Sequence, residues 1–132
     1  MDREFNNILE QICEKDTRYR RDAYEFIMEA LTFTQKKFRR VKHVTGEELL
    51  EGIRALLLDR FGPMTLSVLE HWGVKATEDF GNIVFNLVSH KVLSKTDDDT
   101  IESFKNGYHF AEAFGVDYQK QLAKRISKMR SA

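Results

Sequence analysis

The sequence predicts a mainly α fold in one domain, with a single small β-hairpin. Three observations predict it. All seven glycines, the only proline and the only tryptophan fall between Gly46 and Gly115, at the close spacing of successive helix stops and starts. Through and around that block, apolar residues recur at i, i+3, i+4 and i+7, one face of a helix. The 132 residues are 42% hydrophobic and 32% charged, the balance of a folded chain long enough to bury a core.

Phe5, Ile8, Leu9 and Ile12 set a first helix over residues 3–15, followed by a polar turn over 15–19. Asp22, with Glu25 three residues on, reads as the cap and reciprocal partner of a second helix. Tyr24, Ile27, Met28 and Leu31 form its inner face, and it ends near Lys37, where cations suit the negative helix end. Thr45 and Glu48 make a capping box for a third helix, with Leu49, Leu50, Ile53, Leu56, Leu57 and Phe61 inward. Gly62 and Pro63 end it and start the next, which carries Met64, Leu66, Leu69 and Trp72 and stops at Gly73. Thr77 is read as the cap of a fifth helix, with Glu78 and Asp79 in its first turn and Phe80, Ile83, Val84 and Leu87 inward. Residues 92–95 are short and apolar-led, residues 96–100 form an acidic turn, and residues 101–104 suit a returning strand or one helical turn. The hairpin is the favoured reading. Tyr108, Phe110, Ala113 and Phe114 should fold back on the core, and residues 118–129, with Leu122 and Ile126, form a basic terminal helix. The domain thus divides into an N-terminal helical pair (1–40), a core (44–116) and a basic helix (117–132).

Helix, helix, turn, helix and a two-stranded wing is the order of a winged helix-turn-helix domain. In that reading Val74 is the apolar residue of the turn, and Val92 and Leu93 begin the wing. Residues 44–114 also carry the strings H-V-T-G-E-E-L-L-E-G-I-R, F-G-P-M, W-G-V-x-x-T-E-D-F-G-x-I-V-F-N-L-V, L-S-K-T-x-x-D and G-Y-x-F-x-x-A-F, with D-A-Y-x-F earlier. They resemble a family of small bacterial conserved hypothetical proteins of planctomycete and verrucomicrobial type. The chain departs from that pattern at His109, where the family has an acid, and at Lys91, where it has glycine. The resemblance implies no activity and no site.

Charge and composition narrow the function classes. The longest aliphatic run is residues 55–58, far short of the roughly 20 residues that span a bilayer. The opening M-D-R-E-F-N-N has none of the pattern of a signal peptide, and the lone Cys13 has no internal disulfide partner. A cytoplasmic protein with no membrane segment is expected. Net charge is zero, yet residues 46–116 hold six Lys/Arg against twelve Asp/Glu, and residues 117–132 hold five against one.

The fifth helix opens with two acids and has no Lys or Arg from Glu78 to His90, so it would repel a phosphate backbone. Nucleic-acid binding is therefore the alternative function. It is assigned to Arg20, Arg21, Arg39, Arg40, Lys124 and Arg125, provided that these flanking cations converge. Asp97, Asp98, Asp99 and Glu102 lack the alternation and glycine of a calcium loop, and His43, His71, His90 and His109 lack ligand spacing. There is no nucleophile elbow and no phosphate-binding glycine loop, and Cys13 lies beside an apolar stripe as an inert thiol would. No catalytic residue, metal or cofactor is assigned. Phe85 lies off the inward stripe of its helix. With Trp72, Asn82 and Asn86 it forms the candidate partner-binding surface, centred on residues 78–92. The leading reading is a non-catalytic interaction or adaptor module, acting on a protein partner or by self-association.

Overall fold

The computed structural model describes residues 3–94 and 101–131. It contains six α-helices: α1 (Arg3–Lys15), α2 (Arg21–Lys37), α3 (Gly46–Phe61), α4 (Thr65–Trp72), α5 (Thr77–Ser89) and α6 (Asp117–Ser131). Short 3-10 turns lie at Gly62–Met64 and Ile101–Phe104, and the π-helical segment Ala111–Val116 leads into α6. The fold is mainly α, as the sequence predicts.

α2 and α3 form the most extensive helix pair, and α5 packs across α2 and α3. α1 buries Leu9 and Ile12, and the turn after it is closed by Asp16 N donating to Ile12 O. The residue at the cap of α2 is Arg20 rather than Asp22. Asp22 falls in the first turn, where its charge meets the positive end of the helix. The capping box of α3 is complete: Glu48 N donates to Thr45 Oγ1 at 3.0 Å, and Thr45 N donates to the Glu48 carboxylate at 2.9 Å. Leu49, Leu50, Ile53, Leu56 and Leu57 then face the core.

The chain reverses at Gly62, and α4 ends at Gly73, whose φ of +83° is the left-handed stop expected of a glycine there. Leu69 and Trp72 of α4 are buried, whereas Met64 and Leu66 are exposed. Met64 precedes the helix, and two turns bury too narrow a stripe to cover Leu66 as well. The late aromatic cluster folds back as expected: Tyr108, Phe110 and Phe114 are in mutual ring contact, and Phe110 reaches Phe80.

The β-hairpin of the winged-helix reading is replaced. Among the described residues there is no strand, and Ile101–Phe104 is a 3-10 turn. The reason lies at the end of α5. Lys91 N donates to Val88 O and Val92 N donates to Leu87 O, while Lys91 takes a φ of +62°. That is the hydrogen-bond pattern of a left-handed helix stop. It consumes amides that a wing strand would have put into a ladder. The fifth-helix cap also differs. Thr77 is already helical; Asp79 reaches back to accept Ala76 N at 3.1 Å and Lys75 N at 2.8 Å, while Thr77 Oγ1 accepts Gly107 N at 3.1 Å. The acidic turn at 96–100, with Asp97, Asp98 and Asp99, lies outside the described residues.

Candidate functional site

α5 presents three faces. Phe80, Ile83 and Leu87 enter the core. Asp79, Asn82 and Asn86, at i, i+3 and i+7, form a polar ladder against the turn between α1 and α2. Tyr19 donates to Asp79 and accepts from Asn82 Nδ2 at 3.0 Å. Asn86 Nδ2 donates to the Tyr24 hydroxyl and to Asp16 Oδ2, both at 2.9 Å. Asp16 also accepts Arg18 Nη2 at 2.7 Å and Arg18 Nε at 2.9 Å. The amides predicted to meet a partner are thus spent inside the molecule. No buried side-chain nitrogen or oxygen among the described residues lacks a partner.

The ladder perturbs its members in a consistent way. Arg18, then Asn86, holds the Asp16 carboxyl far below the usual carboxylate range. Burial raises the Tyr19 hydroxyl, reinforced by Asp79, and pushes Tyr24 up to about 12. Because the Asp16 value is depressed, its contribution to stability is present above the ordinary carboxylate value of about 4 and is lost as pH falls through the folded value. Asp16→Asn is expected to cost about 1–2 kcal/mol at neutral pH, the worth of a charge-assisted hydrogen bond lowered by solvent screening of the exposed Arg18. It should also flatten the loss of melting temperature between pH 5 and pH 2. Parallel thermal melts of both proteins across that range check this; equal slopes would remove Asp16 from the acid response.

The third face, with Val84, Phe85 and Val88, borders a cleft of about 320 Å³. Ile27 and Leu31 of α2, Leu49 of α3, and Val92, Leu93 and Phe104 complete its apolar lining. Gln35, Lys42, His43, Thr45 and Ser94 stand among the polar groups of the site. Gln35 Nε2 donates to Lys42 O at 2.7 Å and so ties the loop after α2 to the mouth. Phe85 is half-buried, as a residue off the inner stripe should be.

Trp72 is not part of this surface. It is 6% exposed, with ring centroids 5.3 Å from Phe26 and 5.8 Å from Phe61, and its carbonyl accepts Arg20 N. Of the four partner-binding candidates only Phe85 borders the cleft. No family model, curated protein or solved structure matches this chain.

The two arginine pairs that flank α2 do not meet. Arg20 and Arg21 open α2, whereas Arg39 and Arg40 follow its far end, and 17 helical residues hold the two pairs about 25 Å apart. Arg20 Nε donates to His71 O, Arg21 pairs with Glu25 and contacts Asn6, and Arg40 pairs with Glu48. Lys124 and Arg125 are exposed on α6.

The histidines are dispersed. His43 lines the cleft, His71 ends α4, and His90 Nδ1 lies 3.0 Å from Asn86 O. Among the described residues no group of three His, Cys, Asp or Glu is arranged to hold a metal. Cys13 is half-buried, and burial raises its thiol above the ordinary value. The sequence reading missed Leu31, Lys42, Val88 and Val92 as cleft residues. For Val88 and Val92 a signal existed: with Val84 and Phe85 they form a second apolar stripe beside Phe80, Ile83 and Leu87.

Proposed function

We propose that the chain is a non-catalytic protein-interaction module that takes an apolar side chain of a partner into the cleft beside Phe85. One observation carries this reading. The face of α5 left after the core stripe and the polar ladder are satisfied borders an apolar concavity of about 320 Å³. That volume is at the small end of the roughly 300–1,000 Å³ typical of small-molecule sites. It suits one or two side chains of a docked segment. Lys42 and His43 give the lining a basic element, so the favoured docking segment carries a carboxylate beside its apolar anchor.

Methyl NMR titration tests this with short peptides that place Leu or Phe next to Glu. The shifts should concentrate on Leu31, Val88 and Val92. Lys42→Glu, an exposed change that leaves the packing intact, is expected to weaken binding roughly fivefold, on the scale of a reversed rim charge. Shifts scattered away from the cleft, or affinity indifferent to residue 42, would defeat the reading. Gel-shift titrations with duplex and single-stranded DNA and RNA at low salt run beside it. Tight, salt-dependent binding lost in Arg39→Ala/Arg40→Ala would favour the nucleic-acid alternative instead.

A further inference from the structure

The cleft leaves a separate surface unexplained. Apart from Val41, the large exposed apolar side chains among the described residues are Met64, Leu66, Leu122, Ile126 and Met129. They belong to α6 and to the segment that the start of α6 meets. α6 packs against Gly62–Met64, and Leu66 lies beside Gly115 just ahead of α6. Beyond that start the apolar side chains of α6 are open to solvent. Leu122 is 40% exposed, Ile126 44% and Met129 76%. Their spacing of four and then three is the d-a-d step of a heptad, a narrow seam rather than a broad apolar face.

Three features decide what fits the seam. Residues 117–132 carry five Lys/Arg and one Asp, and Lys120, Lys124, Arg125 and Lys128 are all exposed. Arg125 occupies a position flanking the seam, where coiled-coil partners set opposite charges. A second copy of α6 has no carboxylate after Asp117 to offer it, so self-pairing would place cation near cation. A bilayer surface is a poor match as well. A helix lying in a membrane interface uses a wide face with aromatic anchors, and α6 contains no Trp or Phe.

We propose that α6 is a docking helix for an acidic amphipathic helix of a partner protein, which lays its apolar a/d residues on Leu122, Ile126 and Met129 and sets Glu or Asp against Arg125. This stands apart from the cleft, and a cleft variant such as Lys42→Glu should leave it unchanged.

The test uses the full chain and a fluorescein-labelled four-heptad peptide with Leu at a and d and Glu at e and g, beside a matched peptide with Lys at e and g. Anisotropy should show binding of the Glu peptide alone, weakened by salt. Ile126→Gln should reduce affinity at least roughly tenfold, as loss of a central anchor does. Arg125→Glu should reverse the preference between peptides. Both positions are exposed, so unchanged thermal melts confirm that the variants are folded. Equal binding of the two peptides, or an Ile126→Gln variant that binds as wild type, overturns the proposal. So does binding to phosphatidylglycerol vesicles in place of either peptide. A concentration-dependent dimer abolished by Ile126→Gln would assign the seam to a second copy and likewise overturn it.

Discussion

Phe104→Ala is expected to destabilise the protein by about 3–5 kcal/mol, the usual cost of emptying a buried aromatic site. Phe104 is 2% exposed and belongs to a four-residue 3-10 turn that has little stability of its own. The turn is held by what Phe104 touches. α5 offers Gly81, where an added Cβ would stand 2.9 Å from Phe104 Cβ and Cγ, so the ring lies directly on the helix backbone. α3 offers Gly46, whose added Cβ would fall 2.8 Å from Ser103 Cβ. The ring thus joins α3, α5 and the returning chain at one point, and alanine would release all three. Urea denaturation should show the full loss, with a melting temperature lower by at least about 10 °C. A variant within 1 kcal/mol of wild type would mean that residues 101–104 are not part of the cooperative core. Gly81→Ala serves as a second probe, because it pushes on the same ring without removing it.

Gly52→Ala is expected to cost about 2–3 kcal/mol. α2 and α3 meet closely where Gly52 faces Thr34, and a Cβ at 52 would overlap Thr34 Oγ1 and stand 2.9 Å from Thr34 Cβ. Thr34 has little freedom to retreat. It is fully buried, and its hydroxyl donates to Ala30 O at 2.6 Å. Overpacking costs about 1–3 kcal/mol and a displaced hydroxyl a similar amount, while the better helix propensity of alanine returns about 1 kcal/mol. Pairing the change with Thr34→Ala should recover at least half of the loss, and a double-mutant cycle measures that coupling. Additive effects of the two substitutions would show that the helices do not meet through this pair.

Much of the helical frame was legible because its signals are local. Thr45 and Glu48 satisfy each other within one turn, Gly62 and Gly73 mark real stops, and Phe80, Ile83 and Leu87 define a face without reference to the rest of the chain. The errors fall where a residue answers to something distant. Gly52 and Gly81 look like weak points inside helices until Thr34 and Phe104 are seen against them. Asn82 and Asn86 read as exposed amides because their partners, Tyr19, Tyr24 and Asp16, lie more than 60 positions earlier. The hairpin failed for a different reason. Residues 101–104 suit a strand or a turn equally by pattern, and nothing in a lysine announces that Lys91 will take the left-handed geometry usually left to glycine. Within the candidate site, Phe85 was recoverable from helical periodicity. Lys42 was not, since a loop has no period, and Trp72 was misplaced because aromatic content does not reveal which rings stack on one another.

The ladder joining α5 to the first interhelical turn also orders events on the ribosome. When Asp16 and Tyr19 emerge, the amides that will satisfy them have not been made. At about 5–20 residues per second, several seconds of translation pass before they exist. Until then Asp16 has Arg18 and water for partners and Tyr19 has water alone, and completing that seam waits on the later half of the message.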